Sequence, residues 1–300
     1  MGIISMELFR QIKMVPARLV LQTGDVFEGY SPHWCKTTTF GEVVFTTGMT
    51  GYVESLTDPS YAGQILTFTS PLIGNYGVPS HERWESPKIH AHGVILNEIS
   101  PFCDHYEAVK TLGSWLHEQK IPFLAGVDTR ALTKTLRMHG VALGAITCEK
   151  KDPPHFPDPN FTHLVAKSCV KEVKEYGRGK KKIIVVDCGM KENILRSLQN
   201  FPVTIKHVPY DYSEEDFDGV FISNGPGDPV VCKETVAILS KALKRKKPVF
   251  GICLGAQLLA LSIGAKTYKL PFGHRGQNQL HSLPPPNHTF ADLILSKIVW

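Results

Sequence analysis

The sequence predicts an α/β protein in two parts: a mixed α+β half, then a parallel sheet covered by helices. Three observations carry this. Strands followed by helices fill residues 17–140, a proline-rich and then charged stretch breaks the pattern near residue 150, and regular β–α alternation begins at Lys182. The expected boundaries are a first domain over 1–150, a linker over 151–181 and a second domain over 182–300.

In the first half, Arg18–Gln22, Glu42–Thr46, Gln64–Thr69 and His92–Leu96 are rich in β-branched and aromatic residues and bounded by Gly and Pro, so they read as strands. Val109, Leu112 and Leu116 lie at helical spacing and predict a helix over Tyr106–His117. Leu132 and Leu136 predict a second over Thr129–Met138, with Pro122 and Gly140 as punctuation. Pro153, Pro154, Pro157 and Pro159 open the connector, and the basic run Lys171–Lys182 reads as a solvated continuation of it. The apolar run Lys182–Gly189 then reads as a strand buried on both faces. A helix over Lys191–Gln199 follows, then strands at Val203–Val208 and Gly219–Ser223, a helix over Lys233–Leu243, a strand at Val249–Ile252 and a helix over Leu254–Ile263.

Composition narrows the function classes. A hydrophobic content of 42% with 20% charged residues fits a soluble globular protein, and no run approaches the ~18 apolar residues of a membrane helix. The net charge of +5 is mild, and no basic face interleaved with aromatics offers itself to nucleic acid. Seven cysteines lie far apart, with neither a Cys-x-x-Cys pair nor zinc spacing, so no metal site is expected and the thiols suit a reducing compartment. The first fourteen residues read as a lead-in to the first strand. Cytoplasm is the expected location, with a mitochondrial signal as the alternative.

The chemistry concentrates at two strand ends. In Pro248–Gln257 (PVFGICLGAQ) a buried strand runs through Gly-Ile-Cys-Leu-Gly into a helix, the geometry of a nucleophile elbow with Cys253 in the serine's place. Gly251 and Gly255 flank the turn because side chains there would meet the folded-back chain. Cys253 would then sit at a helix N-terminus, where unpaired N–H groups favour the reactive thiolate. The plain alternative is a buried core cysteine. In Ser223–Pro229 (SNGPGDP) two glycines and two prolines fix a rigid loop whose N–H groups can face inward. Gly225 and Leu254 are the natural donors to an oxyanion formed when a thiolate attacks an amide. The alternative here is a simple turn. No Gly-x-Gly-x-x-Gly opens a helix and no Walker loop is present.

The segments Ile222–Pro229, Pro248–Lys269 and His274–Gln279 resemble the class I (triad) glutamine amidotransferases, whose domain is a flavodoxin-like parallel sheet. Gly41–Gly77 and Gly126–Gly140 are similar to the N-terminal domain peculiar to the carbamoyl-phosphate synthetase small subunit, and the likeness runs from about Ala17 to Gln279. The resemblance implies a carbamoyl-phosphate synthase of the glutamine-hydrolysing type. Glutamine would give glutamate and ammonia, and the ammonia would pass to a large synthetase subunit, or a fused synthetase domain, serving pyrimidine or arginine synthesis. ATP and Mg would bind that partner, leaving this chain without a cofactor. Cys253 would form a γ-glutamyl thioester, and Gly225 and Leu254 would stabilise the oxyanion. Ser60, Gly227 and Gln257 would contact glutamine.

Two departures from the family pattern stand out. Gly255-Ala256-Gln257 replaces the family's Gly-His-Gln, a change expected to touch packing or partner contacts. The His-Pro-Glu that carries the family's base and its orienting carboxylate does not occur, nor does the glutamine-contacting Gln-Asn-His-Gly-Phe, and residues 280–300 no longer follow the family. Asn287–Phe290 echoes that segment at the wrong spacing, and His274 and His281 are candidate substitute bases. The amidotransferase domain is therefore expected to be C-terminally truncated or altered and its turnover impaired. A non-catalytic docking or regulatory module for the synthetase is the alternative, and an unrelated cysteine hydrolase the third reading.

Overall fold

A computed structural model describes residues 12–213 and 217–270. These fall into two compact units that divide between Pro159 and Asn160. Among the described residues, no helix is long and apolar enough to cross a membrane.

The first unit is built on a seven-stranded sheet. Its strands are β1 (Met14–Leu21), β2 (Val26–Pro32), β3 (Thr39–Thr46), β4 (Gln64–Phe68), β6 (Gly93–Ile95), β8 (Phe123–Leu124) and β9 (Ala142–Thr147), in the order β2-β1-β9-β3-β4-β6-β8. β5 (Leu72–Ile73) and β7 (Glu98–Ile99) form a small parallel pair apart from it. Successive side chains of a strand face opposite ways, so each apolar pair feeds two cores. Val43, Ile65, Ile95 and Leu124 pack with Leu132 and Leu136 of the helix α3 (Thr129–His139). Their neighbours Val44, Leu66, Val94 and Phe123 pack instead on α1 (Tyr52–Thr57) and α2 (Leu112–Glu118), around Tyr52, Leu56 and Trp115. α3 starts at Asp128, whose carboxylate accepts the Ala131 N–H at 2.8 Å, and stops at Gly140, which takes the positive φ of 87° that ends the helix cheaply.

Beyond β2 and β8 the sheet meets itself. Tyr30 and Ala125 exchange both backbone hydrogen bonds, at 2.8 and 2.9 Å. Gly29 allows that approach, since a Cβ there would lie 2.6 Å from the Ala125 carbonyl oxygen. The helix expected over Tyr106–His117 begins only at Leu112. Val109 and Lys110 are held extended by Val78, which accepts from Val109 N–H and donates to the Lys110 carbonyl, both at 2.9 Å. Val109 is exposed, and Thr111 caps the shorter helix through the Ser114 N–H. Pairing with a residue distant in the chain thus overrides the local helical spacing.

The second unit carries β10 (Lys174–Tyr176), β11 (Lys181–Asp187), β12 (Val203–Pro209), β13 (Gly219–Ile222) and β14 (Val249–Gly251), in the order β10-β12-β11-β13-β14. All neighbours from β12 to β14 run parallel, and β10 adds antiparallel to β12. The helices are α4 (Leu164–Ser168), α5 (Glu192–Leu198), α6 (Lys233–Lys244) and α7 (Leu254–Ser262). From Asn160 onward the stretch read as linker is folded: Leu164 and Val165 are buried apolar residues, and Lys174–Tyr176 pairs as the edge strand. The chain leaves β11 for β12 on one side and returns to β13 on the other. Loops at the carboxyl ends of β11 and β13 therefore flank a switch point, where open parallel sheets bind ligands. The strand Val249–Ile252 was expected to be buried, yet Phe250 is 60% exposed. β14 is the outermost described strand, and among the described residues Phe250 stacks only on Phe221, at 5.5 Å between ring centroids.

Candidate active site

The elbow forms where the glycines require it. β14 ends at Gly251 and α7 begins at Leu254, so the chain reverses within two residues. A Cβ on Gly251 would strike the Gly255 backbone, and one on Gly255 the Ile222 carbonyl oxygen. Cys253 takes φ 51° and ψ −110°, a conformation that side-chain-bearing residues adopt only when their surroundings force it. Its thiol is exposed rather than sealed in the core, as a nucleophile requires. Leu254 heads the helix, so the helix supplies no acceptor for its backbone N–H.

The glycine-proline loop lies against this turn. Ile252 N–H reaches the Ile222 carbonyl at 3.0 Å, and Gly255 N–H reaches the Ser223 carbonyl at 3.1 Å. Gly225 is wedged between the Cys188 carbonyl and the Leu254 side chain. A Cβ there would overlap the first and lie 2.9 Å from Cδ2 of the second. Gly227 has φ 83° and rests on Leu164 of α4, so its conformation needs glycine. Asp228 caps the short turn Pro229–Val231 by accepting the Val230 N–H at 2.9 Å.

Cys253, Leu254, Gly225, Gly227 and Gln257 thus belong to one unit, with Gly225 against the Leu254 side chain and Cys253 next to Leu254 in the turn. Gln257 is fully buried in the first turn of α7, and among the described residues neither side-chain polar atom has a hydrogen-bond partner. A buried amide so placed has unused donors and an unused acceptor, a costly arrangement unless a ligand or water completes it. Ser60 belongs to the first unit, in the turn Pro59–Tyr61, where its N–H donates to the Asp58 carboxylate at 2.9 Å. His274, His281 and Asn287–Phe290 lie outside the described residues.

Sequence reasoning missed a buried pair behind the loop. Asp187, the last residue of β11, accepts a hydrogen bond from His207 Nε2 of β12 at 3.0 Å, and the two are 4% and 3% exposed. Burial alone would raise the Asp187 carboxyl. The hydrogen bond and charge of His207, with the Gly189 and Met190 N–H groups, outweigh it and hold the carboxyl below the ordinary value. The available signal was a carboxylate closing the apolar run Ile183–Val186 and an imidazole one strand later, since a buried carboxylate needs a partner. A depressed folded-state pKa stabilises the fold above the unfolded value and stops doing so as pH falls through the folded one. Asp187→Asn is therefore expected to lower the melting temperature at pH 7, by an amount that shrinks below about pH 4. Thermal melts of both proteins from pH 7 to 3 check this; a gap that widens toward acid contradicts it.

Comparison with known proteins identifies two family matches along the chain. The carbamoyl-phosphate synthase small chain, CPSase domain, matches residues 19–146, and glutamine amidotransferase class-I matches residues 184–295, so the match runs past Gln279 into residues expected to depart from the family. The chain is 48% identical over 278 residues to the multifunctional protein CAD of Squalus acanthias, an alignment covering 88% of this chain and 12% of that one. Identity to the arginine-specific carbamoyl phosphate synthase small chain of Neurospora crassa is 44%, covering 87% of this chain and 62% of that one. The Saccharomyces cerevisiae counterpart is 43% identical, covering 87% of this chain and 69% of that one. The chain thus spans well under the whole length of each, and it belongs to the carbamoyl-phosphate synthase small-chain family.

Proposed function

We propose that this chain is the glutamine-hydrolysing component of a carbamoyl-phosphate synthase. The observation that carries the reading is the exposed Cys253 thiol, held with positive φ at a strand–helix turn that packs on the Gly225 loop. The thiolate attacks the side-chain carboxamide carbon of glutamine, and the oxygen that gains charge is met by the N–H groups of Gly225 and Leu254. The proton given up by the Cys253 thiol passes to the departing nitrogen, so collapse expels ammonia and leaves a γ-glutamyl thioester; water then splits the thioester to glutamate and returns a proton to the sulfur. Gly227 and the buried Gln257 amide supply contacts to glutamine's polar groups.

The ammonia passes to a synthetase partner that binds ATP and Mg. The partner is a separate large subunit or a domain of the same polypeptide, since relatives carry names of both kinds: small chains and a multifunctional protein. Arginine and pyrimidine synthesis are the two pathways such a chain serves. None of the seven cysteines forms a disulfide, which supports the cytoplasm as its compartment. Within these 300 residues no His-Pro-Glu occurs, and impaired multiple turnover of this chain is part of the proposal.

Capture of an electrophile needs only the thiol and its pocket, so it is the measurement suited to this chain. Diazo-oxonorleucine, a diazoketone analogue of glutamine, is expected to modify Cys253 selectively, and millimolar glutamine to protect it. Peptide mapping by mass spectrometry reads both. Modification spread over the exposed cysteines, unaffected by glutamine, would rule the reading out and favour a docking module.

A further inference from the structure

The elbow and its loop are connected to the Asp187–His207 pair by an unbroken series of short contacts. Asp187 accepts four hydrogen bonds. Oδ1 takes the Gly189 and Met190 N–H groups at 2.7 and 2.8 Å, and Oδ2 takes the Val170 N–H at 3.1 Å and His207 Nε2 at 3.0 Å. The carboxylate therefore curls residues 188–190 around itself at the end of β11. That curled segment in turn holds the glycine-proline loop. Cys188 N–H donates to Ser223 Oγ at 2.9 Å, Ser223 Oγ donates to the Asn224 carbonyl at 2.7 Å, and Lys191 N–H donates to Asn224 Oδ1 at 3.1 Å. Gly225 seats directly on the Cys188 carbonyl and against Leu254, and the Ser223 carbonyl accepts the Gly255 N–H.

Stability alone does not explain why a histidine occupies this place. β12 is an interior strand, and Ile205 and Val208 beside His207 are buried and apolar. Replacing a buried hydrogen-bonded polar pair by well-packed apolar residues is often neutral or favourable, so such pairs are weak evidence of a stabilising role. Moreover, Nδ1 of His207 is buried with no hydrogen-bond partner among the described residues, a further cost. What the imidazole does provide is a directed Nε2–H donor on one oxygen of Asp187, which fixes the carboxylate's rotation. That rotation decides whether the other oxygen can hold Gly189 and Met190.

We propose that His207 is a positioning residue for the site: through Asp187 it holds residues 188–191 against Ser223–Gly225 and so sets the loop backbone that packs on the Cys253 turn. The inference rests on the glutamine-hydrolysing reading for its chemical consequence and on the hydrogen-bond series for its geometry. His207→Leu removes the donor while keeping an apolar side chain of similar volume. His207→Gln keeps an N–H donor the same number of bonds from Cβ and serves as the conservative rescue.

The test compares the two variants with the wild-type chain by amide hydrogen exchange and by diazo-oxonorleucine labelling. In His207→Leu, the amides of Cys188–Lys191 and Ser223–Gly225 are expected to exchange at least about tenfold faster, while those of the first unit stay unchanged. Its maximal labelling rate is expected to fall about tenfold, with the analogue's half-saturating concentration within about threefold of wild type. His207→Gln is expected to restore both to within about threefold of wild type, which a role limited to filling space would not produce. A folded His207→Leu chain whose Cys188–Lys191 and Ser223–Gly225 amides exchange at wild-type rates overturns the inference, whatever the labelling does. Failure of His207→Gln to restore exchange or labelling, with the protein folded, overturns it as well. Wild-type labelling that glutamine does not protect overturns the glutamine-hydrolysing reading instead, and the exchange comparison still decides the positioning role.

Discussion

Cys253→Ser is expected to abolish covalent capture of the glutamine analogue, a fall of at least about 10³-fold in labelling rate, with no change in the fold. An alcohol in this position is ionised far less readily than a thiol, and the glycine-proline loop assists attack only once a nucleophile exists. The side chain is exposed and Ser carries the same Cβ, so the positive φ of 51° and the contacts at Gly251 and Gly255 are retained. Thermal melts of wild type and variant should superimpose. Mass spectrometry of the intact chain reads the adduct directly. An adduct that persists in Cys253→Ser at the wild-type rate places the reactive group elsewhere and removes the basis of the proposed chemistry.

Gly225→Ala is expected to damage both stability and reactivity, because the added methyl group overlaps the Cys188 carbonyl. Neither neighbour can yield cheaply. The Cys188 backbone is tied to Ser223 Oγ and followed by the Asp187-bound curl, and Leu254 is buried in the core of the second unit. Overpacking of this kind costs about 1–3 kcal/mol, measurable as a shift in the urea midpoint. Displacing one N–H that faces the analogue's ketone oxygen costs about 10²–10³-fold in labelling rate. Iodoacetamide, which needs no such donor, should still reach the exposed thiol at nearly the wild-type rate. If Gly225→Ala leaves both stability and labelling untouched, the loop is not packed as described and its donor role fails.

What the sequence made legible was what backbone packing writes into glycine. Gly251, Gly255 and Gly225 sit where a Cβ would meet another stretch of main chain, so spacing alone located the turn and its facing loop before any coordinates. The parallel sheet was legible for a similar reason, since strands covered on both faces read as unbroken apolar runs. Contacts between distant residues were not. Nothing local in the spacing of Val109, Leu112 and Leu116 says that Val78 holds the first of them in an extended pair. His207 and Asp187 meet only because β12 lies beside β11 in register, with His207 opposite Val185 and the ring reaching along the strand. Phe250 read as buried because its neighbours in sequence are apolar, yet burial depends on what lies across the sheet, and among the described residues that face is open.

The placement of β9 bears on how the first unit comes into being. That strand, made after all the others, lies between β1 and β3 and pairs with both, joining Arg18 to Thr147 and Thr39 to Ile146. During synthesis the β1–β2 hairpin can form early, but until residue 147 has left the ribosome its backbone tie to the parallel strands is the Tyr30–Ala125 bridge beside β8. Pairings so remote along the chain delay assembly, because a long loop must close before they reward it. The nascent first unit therefore waits as two pieces bridged at one pair of residues, and its last-made strand is the keystone that joins them along their length.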